Sequence, residues 1–116
     1  MKKILIISPA IIDINYIITA ILENGDRHFW ADEKSAFDNF AKEKPEMVIF
    51  MGILHLYNKE ISGQSEVILF NAITARLEPQ QKMQLVAYEY QRDIYKFKNF
   101  TALPLVNDKL NEILRS

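Results

Sequence analysis

Near its N-terminus this 116-residue chain runs Ile4-Leu5-Ile6-Ile7 without a polar residue. A strand with one wet face alternates apolar and polar side chains, whereas a strand covered on both faces reads as a continuous apolar run. The run therefore predicts a central strand of a parallel sheet, with a layer packed on each face. Lys2-Lys3 ahead of it resembles the start of a secretory signal, but Pro9, Asp13 and Asn15 interrupt the apolar stretch to Leu22 and no small-residue cleavage site follows. A membrane span needs about 20 mostly apolar residues. A buried strand followed by a helix is the expectation.

Strand and helix patterns alternate from there. Ser8-Pro9 can cap and open a helix on which Ile11, Ile14, Ile18 and Ile21 recur at helical spacing until Asn24-Gly25. Residues 28–31 read as a second strand, and 35–44 as an amphipathic helix with Phe37, Phe40 and Ala41 inward and Pro45 as its stop. Residues 47–51 form a third buried strand closed by Gly52, and 67–70 a fourth. The 53–66 segment between them leaves room for one helical turn, around 56–61. Glu78-Pro79 then opens a helix with Met83, Val86, Ala87, Tyr90 and Ile94 on one face, although a hairpin with strands at 86–90 and 94–98 suits the same aromatics. Tyr95-Lys96-Phe97-Lys98 alternates apolar with lysine, as a protected edge strand does, and residues 100–103 extend it. Asn107-Asp108 caps a last helix with Leu110, Ile113 and Leu114 inward. Alternating strands and helices imply right-handed crossovers and a parallel sheet between helical layers.

With 49% hydrophobic and 25% charged residues, the chain matches one globular domain with one core. It contains no cysteine, so thiolate catalysis, cysteine–zinc sites and disulfides are excluded, and a reducing cytoplasm suits it. Fourteen Lys and Arg against fifteen Asp and Glu give a net charge of −1, hence no global field to attract nucleic acid or an anionic membrane.

The order of these elements resembles the receiver domain of two-component response regulators. Three stretches carry the resemblance: Lys3-Ile4-Leu5-Ile6-Ile7, Lys44-Pro45-Glu46-Met47-Val48-Ile49-Phe50, and Leu103-Pro104-Leu105-Val106-Asn107-Asp108-Lys109-Leu110. The second is similar to the family's Lys-Pro-Asp-Leu-Val-Ile-Leu run before its phosphorylated aspartate, the third to its Lys-Pro-Phe run. The resemblance implies an α/β, three-layer, flavodoxin-like fold with a five-stranded parallel sheet in the order 2-1-3-4-5 and helices on both faces. The third helix is expected to be short or missing, and residues 1–116 to form one domain; a regulator with an output domain beyond Ser116 would begin the same way. A cis peptide before Pro104 is also implied.

The family's chemistry has no counterpart at the matching positions. Its metal-binding acidic pair falls at Ser8 and Pro9, its phosphoacceptor at Met51, its switch Ser/Thr at Asn71 and its lysine at Leu103. Magnesium takes hard oxygen ligands, and a thioether is not one. Ligands of open α/β sheets sit at the carboxyl ends of the strands, and none of these residues there is ionisable. The first βα turn, Ser8-Pro9-Ala10, has no glycine for close approach to a phosphate, which excludes a dinucleotide fingerprint and weakens flavin binding. His28 and His55 have no partner at metal-ligand spacing and read as surface or packing residues.

The expected function is that of an atypical receiver: a phosphorylation-independent regulatory domain of the cytoplasm that contacts a protein partner or a second copy, without enzymatic activity, cofactor or metal. Tyr88, Arg92, Tyr95, Lys96, Lys98 and Lys109, beside Glu89 and Asp93, mark the candidate contact face on the fourth helix, fifth strand and last helix, although core packing accounts for the aromatics equally well. Two rival readings stand beside it. One is a small α/β enzyme or ligand-binding domain. The other is a nucleic-acid contact through Tyr95-Lys96-Phe97-Lys98, which the near-neutral charge disfavours.

Overall fold

A computed structural model of the chain describes residues 1–8, 14–52, 65–88, 100–103 and 107–115. In chain order these form β1 (Lys3–Ile7), α1 (Asn15–Glu23), β2 (Arg27–Ala31), α2 (Ala36–Glu43), β3 (Met47–Gly52), α3 (Ser65–Arg76), β4 (Lys82–Tyr88), β5 (Phe100–Leu103) and α4 (Asn107–Arg115). The five strands make one sheet in the order β2-β1-β3-β4-β5, every neighbouring pair parallel. This is the flavodoxin-like α/β arrangement expected from the sequence.

The continuous apolar runs fill two layers at once. Leu5 and Ile7 of β1 and Val48 and Phe50 of β3 pack with Ala36 and Phe40 of α2, Phe70 and Ile73 of α3, and Met83 of β4. The alternate residues Ile4, Ile6, Met47, Ile49 and Met51 meet Ile17 and Ile21 of α1 and Ile113 and Leu114 of α4 on the other face. A strand's period of two sends each neighbour to the opposite side. Phe50 and Phe70 meet edge to face, with ring centroids 5.3 Å apart.

Several elements depart from the sequence reading. Residues 67–70, expected as a strand, lie within the 12-residue helix α3. A four-residue apolar run suits a buried helix as well as a buried strand, and here the helical spacing continues through Phe70, Ile73 and Leu77 onto the core. The third helix is thus neither short nor missing. Glu78-Pro79 begins a turn rather than a helix: the Gln81 N–H donates to the Glu78 carbonyl at 2.9 Å, and β4 follows at once. Proline fits the second position of such a turn. The helix expected over Met83, Val86 and Ala87 is therefore strand β4, and β4 pairs with β5 in parallel rather than as a hairpin. Strand 94–98 of that alternative lies outside the described residues. Helix α1 opens at Asn15, not at Ser8-Pro9, and buries Ile17 and Ile21, with Ile14 and Ile18 packed beside them. On α2 the buried positions are Ala36 and Phe40, with Phe37 beside them; Ala41 is exposed.

The amino ends of the strands are tied together by polar side chains. Helix α1 ends in a Schellman motif, with the Gly25 N–H donating to Leu22 and the Asp26 N–H to Ile21; Gly25 takes the required positive φ of 83°. Asp26, 8% exposed, accepts from the Lys2 N–H at 3.0 Å and the Asn24 amide at 2.9 Å. Glu46 accepts from the Lys3 N–H, and the Gln81 amide donates to the Pro45 carbonyl at 2.9 Å. The Lys2 ammonium caps the last turn of α4 at the Leu114 carbonyl.

Burial raises the Asp26 pKa, but the Lys2 N–H, the Asn24 amide and the positive charges of Lys2 and the N-terminus together outweigh it and hold the carboxyl below its ordinary value. A depressed carboxylate pKa stabilises the fold above the unfolded value near about 3.9, and that contribution is lost as pH falls through the folded value. Asp26→Ala leaves the part-buried Lys2 N–H without this partner, so urea denaturation at neutral pH should show a loss of about 1 kcal/mol that shrinks toward about pH 3. Lys44, which ends α2, holds a left-handed φ of 47°. Lys44→Gly removes that strain and should raise stability by about 1 kcal/mol in the same assay.

Candidate functional site

The carboxyl ends of the parallel strands form the edge where α/β sheets of this kind bind ligands. Ser8 follows β1 directly and is 2% exposed; its N–H donates to the Ala31 carbonyl at 3.1 Å, which extends the β1–β2 ladder by one step. Its side chain lies on the α1 side of the sheet, as Ile4 and Ile6 do. Trp30 pairs with Ile6 in register and shares that side. From there the indole N–H reaches diagonally to the Ser8 hydroxyl at 2.9 Å, although the residue stays 44% exposed. The serine oxygen at the head of β1 therefore already holds a donor.

Met51, in β3, is 1% exposed and packs within the α1–α4 layer. Its thioether belongs to the core, and Gly52 after it pairs with Ala87 of β4. Leu103 ends β5 opposite Tyr88. Ser8, Met51 and Leu103 thus stand at the strand ends where the sequence put them. Asn71 does not: it is exposed on α3, away from the strand ends, because the run that precedes it is helical. The end of β4 is Ala87-Tyr88. Tyr88, expected on a helix face, is the last residue of that strand. Lys109 lies on α4 as expected. Pro9, Pro104, Arg92, Tyr95, Lys96, Lys98 and His55 lie outside the described residues.

One ionisable side chain at this edge escaped the sequence reading. Asp32 follows β2, and its Oδ1 accepts both the N–H and the hydroxyl of Ser35, each at 2.9 Å, at the start of α2. The spacing Asp32-x-x-Ser35 ahead of an amphipathic segment is a legible signature of such a turn. The Ser35 hydrogen bonds, with smaller help from the Lys34 backbone and charge, prevail over desolvation and keep the carboxyl below its ordinary pKa. The group is ionised at neutral pH and engaged in the turn that leads into α2. Trp30 also went unread, because its link to Ser8 depends on the β1–β2 register.

No group of three or more His, Cys, Asp or Glu side chains converges among the described residues. A cavity of about 410 Å³ opens at the opposite end of the sheet, where Lys44, Glu46, Arg76 and Glu78 surround the turn before β4. Its charges balance, and Arg76 is stacked on Phe37 at 4.7 Å while it donates to the Ala72 carbonyl. No helix among the described residues is long and apolar enough to cross a membrane.

No family model matches this sequence, and no curated protein is similar to it in sequence. Solved structures do resemble it. A response regulator from Thermotoga maritima superposes with a TM-score of 0.76 at 17% identity, over 99% of this chain and 95% of that one. A response regulator from Desulfuromonas acetoxidans gives 0.71 at 17% identity, over 99% and 94%. The pseudo-receiver domain of the CikA protein gives 0.63 at 12% identity, over 100% and 98%. Identities this low speak for architecture. Element order, strand order and full-length superposition together give this chain the receiver fold of response regulators.

Proposed function

We propose that this chain is an atypical receiver, a regulatory domain that works through protein contacts without accepting a phosphoryl group. The observation that carries this reading is Met51. Where the resemblance gives the family its phosphoacceptor aspartate, the chain has a thioether that is 1% exposed and belongs to the apolar cluster under α1 and α4. The acidic pair is likewise replaced at Ser8, whose hydroxyl is engaged by Trp30. An aspartyl phosphate needs a carboxylate, a divalent cation held by oxygen ligands and a counter-charge. Asp32, at this edge, is committed to Ser35. The likeness to a domain described as a pseudo-receiver adds support from architecture.

The partner in this reading is a protein or a second copy, and the site of action the cytoplasm, where a chain free of cysteine needs no oxidising compartment. Lys109 on α4 belongs to the contact face. Tyr88 belongs to the strand-end edge instead, because the element that carries it is β4.

Titration with Mg²⁺ and beryllofluoride, read by amide chemical shifts, tests the proposal. No saturable change is expected at Ser8, Asp32 or Met51. Met51→Asp should not create a site either, since it supplies one carboxylate without an acidic pair or lysine. It should also destabilise the fold by at least about 3 kcal/mol through an unpaired charge in the core. Saturable shifts at Ser8 and Met51 in the wild type would overturn the proposal.

A further inference from the structure

β2 is an edge strand, paired on one side with β1. The Arg27 N–H donates to the Lys2 carbonyl, and the Ala31 carbonyl accepts from the Ser8 N–H. Backbone groups of Arg27, Phe29 and Ala31 therefore face β1, and by strand alternation those of His28 and Trp30 face outward. Among the described residues no strand pairs with that edge. Natural edges are shielded by charged side chains, proline or bulges; β2 has a single charge, Arg27 at its first residue, no proline, and carries the half-exposed Trp30.

We infer that a second copy of this chain docks there, β2 against β2, antiparallel about a two-fold axis at Phe29. The register follows from the backbone. With Phe29 opposite its copy, His28 stands opposite the partner's Trp30, and each such pair exchanges two outward hydrogen bonds, four in all. Phe29 forms the closer, non-hydrogen-bonded pair, aromatic against aromatic on the α2 side of the sheet. Trp30 meets the imidazole of the partner's His28 on the α1 side.

Charge fits the same register. Exposed Arg27 at the start of β2 lies opposite the partner's Ala31 and beside the partner's Asp32, whose carboxyl is ionised, and the two-fold axis repeats that opposition at the other end of the pair. A parallel arrangement would set Arg27 against Arg27. A strand pair of this length gives an interface at the small end of specific contacts, under about 1,200 Å². Association is accordingly expected at high micromolar to millimolar protomer concentration.

Because the chain contains no cysteine, a single introduced thiol reports the register directly. Phe29→Cys places two thiols across the close pair, where the β-carbons stand within disulfide reach. Under mild oxidation it should convert mostly to covalent dimer, whereas Arg27→Cys, opposite alanine, should convert far less. Sedimentation of the wild type should show reversible dimer at high concentration. His28→Pro removes an outward N–H without touching the β1 ladder, and should weaken association by about tenfold. Trp30→Lys, which leaves the backbone intact, should weaken it as well. A wild type that stays monomeric throughout, equal cross-linking of the two cysteine variants, or a dimer indifferent to both His28→Pro and Trp30→Lys would each overturn the inference.

Discussion

Burial of β1 and β3 on both faces is the constraint on which the rest of this structure depends. Ile4, Leu5, Ile6 and Ile7 are each at most 2% exposed, as are Met47 to Met51, so both strands must be covered by a layer above and a layer below. Each such side chain contributes about 1.5–3 kcal/mol when fully buried, and no arrangement with one wet face would recover that. Helices α1 and α4 on one side, α2 and α3 on the other, supply the cover. Over β1 and β3, polar and charged groups are thereby kept to the strand ends.

The two ends of the sheet use that polarity differently. At the amino ends Asp26, Glu46, Gln81 and Lys2 bind backbone groups of neighbouring segments, fastening strand starts and a helix terminus. At the carboxyl ends, where a receiver carries out its chemistry, Ser8 binds Trp30 and Asp32 binds Ser35. Among the described residues these side chains at that edge hold one another, and Met51 lies in the core. In the proposed reading the domain keeps the scaffold of a phosphoryl switch and does its work on its surface.

Sequence patterns were most legible where one period excludes the others. The runs at β1 and β3 are held to strand length by the breakers beside them, Pro9 after the first and Pro45 and Gly52 around the second, and α4 shows its helical spacing with Ile113 and Leu114 inward. Residues 67–70 misled because four apolar residues fit strand and helix alike, and only the continuation to Ile73 and Leu77 separates them. That ambiguity carries to the neighbours: read as a strand, the run puts Asn71 at a strand end, and the chance spacing of Met83, Val86 and Ala87 gives β4 the pattern of a helix. Ser8 and Met51 were legible because they flank the unambiguous strands. The hydrogen bond from Trp30 was not, since it joins residues 22 apart in sequence through a register that only the fold defines. Asp26 is of the same kind, with Lys2 as its distant partner.

The central claim is that this receiver fold acts without becoming phosphorylated, and it meets its most direct test in the intact mass of the protein. The chain would be incubated with Mg²⁺ and a small phosphodonor such as acetyl phosphate, then measured by mass spectrometry under conditions that preserve acyl phosphates. The account predicts an unchanged mass. A stoichiometric phosphoryl adduct, labile to hydroxylamine and mapped to an aspartate at the carboxyl edge of the sheet, would contradict it.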